Sequence, residues 1–167
     1  MSTNMTLIEA KTSTSSTVTF SSIPQTYTDL QLVISSRTTN SATREQIFIN
    51  PNGSTTNNNR IVLFGYDSTT PASGSGTDRL VGWQNGGTST ANTFSNISIY
   101  FPNYTSSNNK SFSTDAVAEN NSASSWIINL AASLWSSSAA ITSIQIACET
   151  STFAVNSTFY LYGIKNS

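Results

Sequence analysis

The chain has 167 residues and a formal net charge of −1, enough length for one domain, taken as 1–167, with a real core. Ser, Thr and Asn supply 31, 25 and 18 residues, so 74 positions are small and polar, whereas only seven basic and eight acidic residues carry charge. The seven, Lys11, Arg37, Arg44, Arg60, Arg79, Lys110 and Lys165, never adjoin, which argues against nucleic-acid binding, because such affinity comes from clustered cations that release counterions.

A composition this polar raises the question of disorder, since polar chains struggle to offset the entropy lost on folding. The apolar residues answer it by gathering in short β-branched and aromatic runs at 30–34, 46–49 and 157–162, which suit a pleated, half-buried surface. At the N-terminus, Met1-Ser2-Thr3-Asn4 shows no basic segment followed by an apolar run, so no signal peptide is expected. No stretch approaches the roughly 20 apolar residues that span a bilayer as a helix.

In chain order, strands are expected at 5–10, 16–21, 28–36, 45–50, 60–65, 79–84, 93–101, 110–119, 126–134, 141–149 and 157–164. Alternation is clearest at Leu30, Leu32 and Ile34, and at Ile97, Ile99 and Phe101 with Ser98 and Tyr100 on the opposite side. Arg44-Glu45 reads as a charge pair at a strand edge, where charge discourages unwanted pairing. Asn50-Pro51-Asn52-Gly53 is a turn with a mechanism: proline presets φ and glycine accepts positive φ. The 54–59 tract reads as an exposed polar loop, and Gly74-Ser75-Gly76 and Asn85-Gly86-Gly87 as flexible breaks. The segment 125–135 is ambiguous: Trp126, Leu130 and Leu134 would share a helical face, Trp126, Ile128 and Leu130 a strand face; a strand is favoured. About ten strands with short turns point to an all-β, jelly-roll-like antiparallel β-sandwich.

The absence of histidine removes Ser-His-Asp and Cys-His nucleophilic chemistry. The lone Cys148 cannot build a zinc site with His and Cys ligands; alternating with Ile144 and Ile146, it reads as a buried core thiol. No phosphate-cradling or calcium-binding loop is present, so no cofactor or metal is expected. Asn-x-Ser/Thr triplets, among them those at Asn4, Asn52, Asn96, Asn103, Asn120 and Asn156, are what chance supplies in this composition. Two-carboxylate glycosidase chemistry survives, with Asp115 and Glu119 on one strand face. Their spacing of roughly 13 Å exceeds the roughly 5–9.5 Å that glycosidases use, and loop-anchoring or solvated carboxylates are the favoured reading. Trp83, Tyr100, Tyr104, Trp126 and Trp135 can stack on sugars, but core or subunit-interface roles are favoured. The expectation is a protein that is not an enzyme.

Three stretches carry a resemblance: Ser22-Ile23-Pro24-Gln25-Thr26-Tyr27-Thr28-Asp29-Leu30, Phe101-Pro102-Asn103-Tyr104-Thr105 through Lys110-Ser111-Phe112-Ser113, and Ser157-Thr158-Phe159-Tyr160-Leu161-Tyr162-Gly163-Ile164-Lys165. In order, over most of the chain, they resemble small Ser/Thr/Asn-rich β-sandwich virion proteins of tailed bacteriophages. The resemblance implies a capsid decoration (cement) protein or a tail-fibre module, a homotrimer or other symmetric assembly, located in the virion. Decoration is favoured because the strand pattern fills the chain from its first ten residues to its last three, leaving no fibre shaft. The partners implied are copies of the chain and the major capsid protein, with loops 51–59 and 71–78 as contacts. The alternative is a receptor-binding module for a host surface glycan. Partner-binding residues are not identifiable from the sequence.

Overall fold

The computed structural model describes residues 4–67, 71–121 and 126–165. Met1, Ser2 and Thr3 of the N-terminal stretch, Ser122 of the Asn120 triplet and Ser125 of the ambiguous segment lie outside the described residues.

Twelve strands occur among these residues: β1 (Asn4–Thr12), β2 (Thr17–Phe20), β3 (Asp29–Ser36), β4 (Arg44–Pro51), β5 (Asn58–Tyr66), β6 (Ala72–Gly76), β7 (Leu80–Asn85), β8 (Ser95–Phe101), β9 (Lys110–Ala118), β10 (Ile127–Trp135), β11 (Ile144–Cys148) and β12 (Thr158–Lys165). They form an eight-stranded sheet, β1-β12-β3-β8-β9-β10-β5-β6, and a four-stranded sheet, β2-β11-β4-β7. Setting aside β5, β6, β9 and β10 leaves β1-β12-β3-β8 opposite β2-β11-β4-β7, the strand order of an eight-stranded jelly roll with its two Greek keys. The four additional strands widen only the first sheet, beyond β8. The jelly-roll sandwich expected from the sequence is therefore present, with one strand, β6, beyond the eleven segments expected.

The core lies between the sheets and is made by the alternation read in the sequence. Leu30, Leu32 and Ile34 of β3, Ile97 and Ile99 of β8, and Phe159 and Leu161 of β12 are fully buried against Ile47 and Ile49 of β4 and Ile144 and Ile146 of β11. Phe153 meets Phe159 edge-on at 4.8 Å between ring centroids, a favoured aromatic geometry. Gly82 on β7 sits where a Cβ would lie 2.8 Å from the Cβ of Ala116, so its missing side chain lets β7 approach β9.

Asparagine does much of the turning. Among the described residues eight other than glycine have positive φ, Ser22, Asn52, Asn57, Asp67, Asn92, Asn103, Asn121 and Asn156, and six of them are Asn, the side chain that tolerates this region best after glycine. The expected turn after β4 forms with φ of 51° at Asn52 and 71° at Gly53, and Ser54 N donates to Pro51 O at 2.9 Å.

Two expectations need correction. Gly74-Ser75-Gly76, read as a flexible break, belongs to β6, held by its ladder with β5 from Arg60–Gly76 to Phe64–Ala72; small side chains carry no periodicity, and the backbone alone makes this strand. The exposed tract 54–59 is shorter than expected, because β5 begins at Asn58, which is buried. The strand 127–135 forms as favoured, with Ile128 and Leu130 sharing one exposed face and Ile127, Ala131 and Trp135 inward.

Replacing Phe159 with Ala is expected to cost about 3–5 kcal/mol in urea unfolding. In Gly163→Ala the new Cβ falls within the Tyr27 ring, which covers this glycine, and a loss of roughly 1–3 kcal/mol is expected in the same measurement.

Candidate functional site

Several charged residues that look available in the sequence are committed to holding loops. Glu45 is buried and accepts hydrogen bonds from Thr150 N (2.7 Å), Ser151 N (3.0 Å) and Thr150 Oγ1 (3.1 Å), and from the Ser151 hydroxyl. Burial alone would raise its pKa, but the donors at Ser151, Thr150 and Thr38 together outweigh this and hold it below the ordinary carboxylate value. Arg37 donates through Nη1 to Thr90 O (2.7 Å) and through Nη2 to Ser89 O (2.7 Å) and Gly87 O (3.0 Å), clasping the 86–94 connection. Lys110 is buried, with Nζ donating to Ser106 O at 2.6 Å. The Arg44-Glu45 edge pair is not formed: the two side chains leave opposite faces of β4, and β4 lies between β11 and β7 rather than at an edge.

The carboxylates considered for glycosidase chemistry are both exposed and line different depressions. Asp115 faces a shallow basin with Gln31 and Tyr100, and Glu119 lies with Asn92 and Asn121 beyond the end of β9. Glu119 accepts from Asn121 N at 2.7 Å, an anchoring role for a loop. Among the described residues no group of three or more His, Cys, Asp or Glu could hold a metal ion, and no helix is long and apolar enough to cross a membrane.

The five aromatic candidates separate. Tyr104 and Trp135 are core residues, and the Tyr104 hydroxyl donates to Pro24 O. Tyr100 is half-buried and donates to Asp29 Oδ2 at 2.7 Å; this bond first, then burial, pushes its pKa up to about 12. Trp126 is exposed and Trp83 half-buried, and no shared platform unites them.

Two features emerge that the sequence did not flag. The first is an apolar patch on the outer face of β5 and β10. Leu130 pairs with Leu63, and Ala132 with Ile61; Ile61, Leu63, Ile128 and Leu130 are exposed by 61, 57, 47 and 51%. Arg60-Ile61-Val62-Leu63-Phe64 is apolar on both strand faces, so alternation could not say which side meets water.

The second is a cleft of about 410 Å³ between the inner face of β5–β6 and the exposed margin of β7 and β4. The Arg44 guanidinium lies there, 4.3 Å from the ring centroid of Tyr66 and 5.8 Å from that of Trp83. Its Nη1 is buried and has no hydrogen-bond partner among the described residues. Asn129, 1% exposed, donates through Nδ2 to Val81 O at 3.1 Å, while its Oδ1 is buried without a partner. Arg60, also lining the cleft, is already paired with Asp78 at 2.6 Å. Arg44, Tyr66 and Asn129 are far apart in sequence, and only the fold brings them together.

Fold and surface define an all-β jelly-roll protein with one widened sheet. No protein-family model and no curated protein matches the chain.

Two solution measurements follow from the titrating groups. Glu45 has a depressed folded pKa, so its stabilisation is complete above its ordinary value of 4.5 and is lost as pH falls through the lower folded value. Wild-type stability to urea is therefore expected to drop below that pH. Glu45→Gln should be less stable at neutral pH by about 1.5–3 kcal/mol and show a shallower acid decline. Cys148 is buried, and burial first, then the nearby Glu45 charge, pushes its thiol up to about 12. A thiol reagent at pH 8 should label it only after denaturant unfolds the chain.

Proposed function

We propose that the protein is a virion structural protein: a capsid decoration (cement) subunit that binds the outer capsid surface and stabilises contacts between major capsid subunits. The observation that carries this reading is the patch on β5 and β10. Ile61, Leu63, Ile128 and Leu130 sit together on one face of the widened sheet of a Ser/Thr/Asn-rich protein. Together they offer roughly 400 Å² of surface, within the range of the largest patches on monomers, which are often functional, and about half of the roughly 800 Å² each partner contributes to a standard interface.

The occupant that fits this patch is a second copy of the chain. Asp115, facing Leu130 across β9 and β10, is the one charge within reach of it in the adjoining rows, so like-charge repulsion between copies is small. Neighbouring copies would bring these faces together around a symmetry axis, as expected for a trimer. The Ser/Thr/Asn-rich remainder of the surface then faces the shell and solvent, and its low charge makes contacts insensitive to salt. The resemblance of the 22–30, 101–113 and 157–165 stretches to phage virion proteins supports the same setting.

Native mass measurement tests the assembly step: a trimer is expected for the wild type. Leu63→Asp with Leu130→Asp should yield folded monomer, and a wild-type monomer at about 100 µM would remove the interface. Cryo-electron microscopy of particles tests the location. Density on the capsid surface is the expected result, and density confined to the tail tip would overturn the decoration role.

A further inference from the structure

The cleft beneath β5–β6 has a chemistry unrelated to the apolar patch. The Arg44 guanidinium lies over the rings of Tyr66 and Trp83, contacts that hold its position by attraction to their π-faces without supplying an acceptor for its N–H groups. Among the described residues no carboxylate lies within ion-pair distance of it. A buried N–H without an acceptor costs free energy comparable to a lost hydrogen bond, and so does a buried carbonyl without a donor. The cleft has one of each, Arg44 Nη1 and Asn129 Oδ1. An occupant that reached both would present an acceptor, best an anion, together with a donor. Phe64, Tyr66 and Trp83 contribute aromatic walls, which suit the C–H face of a saturated ring. The volume of about 410 Å³ falls within the roughly 300–1,000 Å³ typical of small-molecule sites.

We propose that this cleft binds a sugar unit carrying a carboxylate, a uronic acid within an acidic polysaccharide. Its carboxylate accepts from Arg44, a ring hydroxyl donates to Asn129 Oδ1, and the ring lies against the aromatic wall. An acidic peptide side chain also satisfies Arg44, but a carboxylate has no donor of its own for Asn129. The site is independent of the decoration role, because it lies on the inner side of β5 whereas the assembly patch lies on the outer side.

The test is NMR titration of the full-length protein, following the Trp83 indole N–H, assigned with Trp83→Phe. The probes are methyl β-D-glucuronide, methyl β-D-glucoside and a glutamate-containing tripeptide. Glucuronide should shift the signal saturably, with the glucoside and the tripeptide at least about tenfold weaker. Arg44→Gln should abolish the shift, and Arg44→Lys, which keeps the charge without the planar fork, should weaken it about tenfold or more. Amide dispersion and melting temperature establish that each variant is folded. Should Arg44→Gln misfold, Arg44→Lys carries the test. No saturable shift at about 50 mM glucuronide would overturn the proposal, since the cleft is then filled by water alone. Equal response to the glucoside, a tripeptide that binds as tightly, or a shift unchanged in Arg44→Lys would each overturn it as well.

Discussion

The dominant constraint on this molecule is a mismatch of width: eight strands on one side of the sandwich face four on the other. The shared part is well served, because β3, β8 and β12 lay continuous apolar faces on β4 and β11. Beyond β8 the small sheet ends at β7, and the large sheet continues through β9, β10, β5 and β6. β9 and β10 still pack over β7, helped by the missing side chain of Gly82. β5 and β6 extend past it. Both features described above follow from this overhang. A cleft opens where the inner face of β5 and β6 has no full strand opposite, and Ile61 and Leu63 are displayed on the outer face of the same strand.

The interior of the widened region is accordingly polar in places where a matched sandwich would be apolar. Asn129 and Ser133 point inward from β10 while Ile128 and Leu130 point out. Near the ends of β3, β7 and β8, Ser36 Oγ donates to Gln84 Oε1 at 2.7 Å, Ser95 Oγ to Ser36 O at 2.6 Å and Asn85 Nδ2 to Thr93 Oγ1 at 3.0 Å. Such networks tolerate burial only when their members are largely satisfied. They account for part of the Ser, Thr and Asn content that, read as composition, suggests only a solvated surface. Positive-φ turns at Asn52, Asn57, Asn92, Asn103, Asn121 and Asn156 account for another part.

How much of this could be read from the sequence depended on whether a strand had one wet face. At 30–34 and 97–101 alternation placed every core residue correctly, because the partner face is solvated and polar. Cys148 was placed in the core by the same reasoning. β6 was invisible since Ala72, Ser73, Gly74, Ser75 and Gly76 carry no side-chain pattern, and only pairing with β5 defines it. β10 was legible as a strand but not in its orientation: its apolar residues occupy both faces, and alternation cannot say which of the two meets the opposite sheet. The charged residues misled in a different way. Arg44 and Glu45 are neighbours in the chain, yet one joins an aromatic cleft and the other ties down 150–151. A strand sends adjacent side chains to opposite faces, so adjacency along β4 argues against a pair.

That separation also explains why the cleft has an uncompensated cation. In a chain with so few charges, a guanidinium receives a counter-charge only where the fold brings one close. Arg60 obtains Asp78 across the β6–β7 connection, and Arg37 is satisfied by carbonyls of the 86–94 segment. Arg44 has neither. It gains attraction from the π-faces of Tyr66 and Trp83, which offsets part of its lost hydration without supplying an acceptor for its N–H groups. A Met or Leu would fill the same space between two rings without leaving a donor unpaired. The presence of Arg there, in one cleft with an equally unpaired Asn129 carbonyl, is the arrangement that a bound anion with a hydroxyl would complete.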